Sequence, residues 1–215
     1  VIANHFEVFA ASEAGSWPSR SLAQYGLRDV GHYDWLGERL DRSSLRNVCR
    51  DESNSTDAVV AATMAWGGAK YPHLRSLWDS RNRWVPILDR IRSTREPRVT
   101  HYDELSRLSR SGNLPGAGPA FFTKFLWFLR EDQNAYIMDQ WTARSMTLLT
   151  PSSAPKMVGN WVSPLNRGED FERFCSAVEA LAGRLGISPE ECERRMFGQG
   201  GRKPNPWRLH VRAHT

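Results

Sequence analysis

Six residues, Leu114-Pro115-Gly116-Ala117-Gly118-Pro119, constrain this chain more than any other stretch. They stand between two segments with helical signals, "VTHYDELSRLSRSG" before and "AFFTKFLWFLR" after. Two closely spaced glycines let a backbone turn sharply and approach another backbone. Pro119 fits a first helical position, where its missing N–H costs nothing. The stretch therefore predicts two helices joined by a tight turn. The N–H groups left free at the start of the second helix, with the helix dipole behind them, suit a phosphate. The same residues would also serve a purely structural helical hairpin, so the turn alone does not assign a function.

Other segments point to helix as well. "STDAVVAATMAWGG" offers a cap at Thr56 or Asp57 and a stop at Gly67 and Gly68. Thr100 and Asp103 have capping-box spacing ahead of a stop at Gly112. "EDFERFCSAVEALAGRLG" repeats apolar residues at Phe171, Phe174, Cys175, Val178, Leu181 and Leu185, and Gly186 closes it. In "SPEECERRMFG", Ser188 caps, Pro189 follows and Glu191 reaches back. Strand alternation is nearly absent and no internal repeat appears. At 215 residues and 40% hydrophobic content, the chain can bury one sizeable core or two lobes sharing a cleft. The expected fold is mostly α, with roughly eight to eleven helices by pattern.

Charge and cysteine usage narrow the function classes. A net charge of +5 and a pI of about 9.4 permit a polyanionic partner. From Arg75 to Arg98 there are seven arginines against three acids. After Glu193 no acid follows, whereas Arg194, Arg195, Arg202, Lys203, Arg208 and Arg212 do. Each run alone reads as a solvated face; two runs with a phosphate-binding turn point to nucleic acid. Cys49, Cys175 and Cys192 fit neither a disulfide framework nor zinc or iron–sulfur spacing, so reduced core thiols and no metal site are expected. No apolar run reaches membrane-spanning length and no signal peptide is visible, which makes a reducing cytoplasm the expected compartment. A chain beginning at Val1 is expected to lack an initiator methionine or a short leader.

The hairpin and its surroundings resemble the helix-hairpin-helix DNA glycosylases, whose turn reads L-P-G-(V/I)-G and is followed some twenty residues on by an essential aspartate. Here Asp139 stands 21 positions after Gly118 (139 − 118). The resemblance runs from about Thr100 to Met146 and extends more weakly to "MAWGG" at Met64–Gly68. It is to the compact 8-oxoguanine-glycosylase fold, and within it to a bacterial antiviral branch that removes glucosylated cytosines from phage DNA. It implies a single glycosylase unit over residues 1–215. A central helical lobe would span about 57–150, with the hairpin at 112–130. The terminal segments would form a second lobe, and the active site would lie in the cleft between the two. It also implies duplex DNA with a modified base as partner, a monomer, and no cofactor, unless the hairpin carbonyls hold a monovalent cation as in relatives. Gly116, Ala117 and Gly118 would bind the DNA backbone.

One departure stands out. In many bifunctional relatives the catalytic lysine lies two residues after the second hairpin glycine, where this chain has Ala120. Lys124 lies one helical turn further on the same face, in the "(V/T)-K-(M/F)" context of the compact members. Set among Phe121, Phe122, Phe125, Leu126, Trp127 and Phe128, its amine is a candidate nucleophile, or a snorkelling side chain with its tip in water. Asp139 precedes "QWTARSM" and reads as a helix cap whose carboxylate could stabilise the charge that builds on a sugar when its N-glycosidic bond breaks. A flipped base needs walls; Trp66, Phe128 and Trp141 are candidates, with Gln140 as a polar reader and Gly67 and Gly68 leaving room for bulk. Oxidised guanine, in a repair glycosylase with lyase activity, and glucosylated 5-hydroxymethylcytosine both fit as substrates. A non-enzymatic hairpin module, which would need the glycines but neither Asp139 nor Lys124, is the alternative from another class.

Overall fold

The computed structural model describes residues 4–15, 19–22, 33–130, 132, 134–200 and 203–215. Eleven α-helices occur among them. Strands among the described residues form three antiparallel pairs of two residues per strand. The chain divides into two compact units, one of Pro18–Ala135 and one of Val1–Trp17 with Tyr136–Thr215.

Helix α1 (His5–Ala10) belongs to the second of these. The continuous unit begins with the pair β1 (Arg20–Ser21) and β2 (Arg39–Leu40). Six helices follow: α2 (Arg42–Arg50), α3 (Thr56–Trp66), α4 (Tyr71–Asp79), α5 (Arg81–Ser93), α6 (Arg98–Arg110) and α7 (Pro119–Leu129). Helix α7 packs against α2, α3, α5 and α6. Phe122, Phe125, Leu126, Trp127, Phe128 and Leu129 are all buried on it. Aromatic residues are mediocre helix formers; burial of about 1.5–3 kcal/mol per side chain holds this helix instead. Arg42 and Arg46 of α2 lay their guanidiniums 3.9 and 4.0 Å from the Trp127 ring centre, which is how two arginines come to be buried at the α2–α7 contact.

Two helix starts differ from the sequence expectation. Ser55, extended in backbone, is the N-cap of α3, and Thr56 and Asp57 lie inside the first turn. Helix α6 starts at Arg98 behind Pro97, so Thr100 is helical rather than a cap. In both cases the residue that holds the extended conformation decides the boundary.

The split unit holds α8 (Gln140–Leu149), the pair β3 (Met157–Val158) and β4 (Trp161–Val162), α9 (Gly168–Leu185), α10 (Pro189–Phe197), the pair β5 (Gln199–Gly200) and β6 (Lys203–Pro204), and α11 (Pro206–His214). Helix α8 packs on α1, α10 and α11. Buried Trp207 of α11 donates from Nε1 to Ser145 Oγ of α8 at 2.8 Å, and that hydroxyl donates to the Met196 carbonyl of α10 at 2.7 Å. His5 Nδ1 and His210 Nε2, 2.8 Å apart, join α1 to α11. Gly186, left-handed at φ 64°, closes α9 as its sequence implies. Ser188 caps α10 by accepting from the Glu191 N–H, but the Glu191 carboxylate pairs with Arg195 one turn on rather than reaching back.

The chain passes from one unit to the other after Ala135. The reason is that α8 buries its inner face on α10 and α11.

Candidate active site

The turn from Ser111 to Gly118 joins α6 and α7 as the sequence predicts. Its glycines have different reasons to be there. Gly116 has φ +74°, and an added Cβ would come within 2.7 Å of the His73 Cβ and 3.1 Å of its Cα. Gly118 has φ −119°, and nothing lies within 4 Å of the place a Cβ would occupy. Gly116 is therefore demanded by the protein's own backbone and packing, whereas Gly118 is not. Gly118 is the N-cap of α7 and has no side chain to satisfy the first-turn donors. Ala117 between them is buried, and its carbonyl accepts from Ser109 Oγ at 2.9 Å.

Lys124 is 3% exposed, a rare fate for a lysine. Its Nζ donates to the Ala120 carbonyl one turn back at 3.1 Å and lies 5.4 Å from the Phe121 ring centre. The stem lies against the end of α3: a Cβ on Gly67 would meet Phe121 at 2.6 Å and Lys124 Cδ at 3.2 Å. Ala120, at the position of the usual lysine, thus contributes the carbonyl that receives Lys124.

Asp139 is the N-cap of α8 and is 7% exposed. Its Oδ1 accepts the Trp141 N–H at 2.8 Å and the Thr142 N–H at 3.1 Å. The Asp139 N–H in turn donates to Thr142 Oγ1 at 2.9 Å, completing a capping box. Both capping donors use the same oxygen, so the carboxylate is fixed in direction while Oδ2 takes no part in the cap.

A family model described as "putative 8-oxoguanine DNA glycosylase OGG-like protein" matches residues 3–197. The chain belongs to this family. No curated protein and no solved structure matches it. For an OGG-like chain the implied activity is that of a DNA glycosylase, with DNA as substrate.

The base-pocket residues divide. In this OGG-like protein Trp66 and Phe128 are 1% and 0% exposed and pack edge to face with centroids 5.2 Å apart. Both lie in the hydrophobic core of their unit. The room at Gly67 and Gly68 is likewise taken, by Phe121 and Lys124 at the first and by Arg20 at the second. Gln140 and Trp141 are half-exposed in the first turn of α8. The Gln140 amide lies 3.1 Å from the Asn160 carbonyl and 2.9 Å from Trp141 Nε1.

The basic runs do not form simple solvated faces. Arg98 is buried and donates to the Asn134 carbonyl, and Arg92 donates to the Asn54 carbonyl at 2.6 Å. Arg75 pairs with Asp79, and Arg90 with Glu104. In the C-terminal run Arg195 pairs with Glu191, and Arg194 Nε donates to the Gly15 carbonyl at 3.1 Å. Arg202 lies outside the described residues.

Two features went unnoticed in the sequence. Arg208 is buried with its guanidinium 3.9 Å from the Trp141 ring centre and 4.8 Å from that of Phe197. The β3–β4 hairpin exposes Val158 and Trp161, Leu165 beyond it is exposed too, and Asn160 of the hairpin accepts from Arg144 of α8. Among the described residues no group of three or more His, Cys, Asp or Glu could hold a metal ion, and no helix is long and apolar enough to cross a membrane.

Proposed function

We propose that this protein flips a modified base out of duplex DNA and hydrolyses its N-glycosidic bond to leave an abasic site, acting as a monomer in the cytoplasm. The observation that carries this reading is the Asp139 carboxylate, buried and aimed by two backbone N–H groups, in a chain of a DNA glycosylase family. The C1′–N bond breaks with its electron pair going to the base, which takes up a proton. Asp139 stabilises the positive charge that builds on the sugar. Water adds to C1′ and passes its proton to the carboxylate or onward to solvent. Gly118 and the start of α7 take a backbone phosphate, because the space beside that residue is open. Gln140 and Trp141 read the extruded base. Lys124 takes part in excision, and any strand cleavage through its amine is slow.

The preferred substrate in this reading is glucosylated 5-hydroxymethylcytosine in phage DNA, and the role is antiviral defence. The resemblance of "FFTKFLWFL" to the antiviral branch supports it. Oxidised guanine is the second reading, and the description of the family favours it. Mass spectrometry of bases released from duplexes carrying each modification decides between them. Release of neither base under single-turnover conditions, with DNA binding intact, would leave a non-enzymatic hairpin module.

A further inference from the structure

Helix α11 lies beyond the residues that the family model matches, which end at 197. It is nevertheless fixed against the helix that Asp139 caps. Trp207 is fully buried and keyed into α8 through Ser145, which in turn holds the Met196 carbonyl of α10. The next residue, Arg208, is 7% exposed and sets its guanidinium 3.9 Å from the Trp141 ring centre, with Phe197 also near it. Trp141 is the second residue of α8, and its N–H is one of the two that hold Asp139 Oδ1. A mechanical path therefore runs from α11 through one stacked pair to the carboxylate.

We infer that Arg208 is a positioning residue for base excision: its guanidinium, set against the Trp141 ring, fixes the first turn of α8 and with it the direction of the Asp139 carboxylate. This rests on the proposed role of Asp139. Burial lowers the Arg208 guanidinium to about 10, with Asp139 opposing that fall and Arg212 adding to it. At neutral pH the group stays a cation all the same. Arginine suits the place because a planar, weakly hydrated cation stacks on an indole and tolerates burial better than an ammonium does. Arg144 and Arg212, 5.5 and 5.4 Å from the same ring centre, frame Trp141 further out, the first half-buried and the second exposed.

The test compares Arg208→Met, which keeps volume and removes charge, with Arg208→Lys, which keeps charge. Each is assayed for single-turnover excision and for affinity on a duplex carrying glucosylated 5-hydroxymethylcytosine, or 8-oxoguanine if that is the base released. Misplacement of a catalytic group by a small distance can cost about 100-fold in rate. Arg208→Met is expected to lose about that much in the excision step while its Kd for DNA changes by less than roughly threefold. Arg208→Lys is expected to recover most of the loss. Wild-type excision by Arg208→Met overturns the inference, as does a loss that appears in Kd and not in the excision step. If Arg208→Met does not fold, Arg208→Gln replaces it. Failure of all three variants to fold would make Arg208 a staple of the fold and overturn the inference too. Asp139→Asn run in parallel separates the two levels. An active Asp139→Asn removes the proposed role of Asp139 itself. An inactive Asp139→Asn beside a fully active Arg208→Met removes only the role of Arg208.

Discussion

Replacing Gly116 by alanine and Gly118 by aspartate should move stability and DNA affinity in opposite ways. At Gly116 an alanine must adopt φ +74°, which costs about 1–2 kcal/mol for an L residue. Its Cβ must also sit 2.7 Å from the His73 Cβ and 3.1 Å from the Cα, atoms that cannot swing away without moving α4. Overpacking of that kind adds about 1–3 kcal/mol. A total near 3 kcal/mol corresponds to a Tm lower by roughly 6–12 °C for a chain of this size. At Gly118 the backbone is ordinary and the space open, and aspartate is among the best N-caps. Gly118→Asp should therefore keep or raise Tm, by at most about 1 kcal/mol of stability. It also sets a carboxylate where a phosphate would approach, so DNA affinity should fall and the salt dependence of binding should flatten. Thermal unfolding by circular dichroism and fluorescence anisotropy across a salt titration measure both quantities. Equal destabilisation by the two substitutions would refute the distinction between the glycines. Unchanged affinity and salt slope in Gly118→Asp would remove the hairpin from the DNA interface.

Asp139→Asn retains an N-cap, so Tm should barely change while base release collapses; Asp139→Ala should in addition lose about 1 kcal/mol of stability, seen in urea unfolding. An Asp139→Asn that excises at the wild-type rate would leave this residue a cap and nothing more. Lys124→Gln should lose base release with DNA binding kept, and borohydride should trap a Schiff-base adduct with the parent protein only if the amine attacks C1′. Full excision by Lys124→Gln with no adduct from the parent would leave Asp139 and water as the whole mechanism. Burial pushes the Cys49 and Cys192 thiols up to about 12. Because the thiolate is the reactive form, neither should react with a maleimide at pH 8 in the folded protein, whereas both should label once the chain is unfolded in urea. Rapid labelling in the native state would contradict their burial.

What the sequence determined alone was local. The hairpin, Pro119 at the start of α7, Ser188 at the start of α10, Gly186 after α9 and the Asp139 cap all rest on bonds or dihedral angles within a few residues. Such interactions are written in adjacent positions, so spacing is enough to read them. Lys124 and Asp139 were legible as catalytic candidates only through the resemblance of the hairpin and its surroundings to a family of glycosylases. The tertiary structure decided everything that depends on which side chains meet. It made Gly116 a packing requirement through His73 and left Gly118 open, although the two glycines look alike in sequence. It buried Trp66 and Phe128 against each other while leaving Trp141 half-exposed, although all three are aromatic residues on helices. It turned arginines of the basic runs inward, onto backbone carbonyls and, at Arg208, onto the ring beside Asp139. A charge or a ring has no fixed fate until a distant segment supplies the surface it packs on, and Arg208 acquires its place against Trp141 only when Trp207 keys α11 into α8.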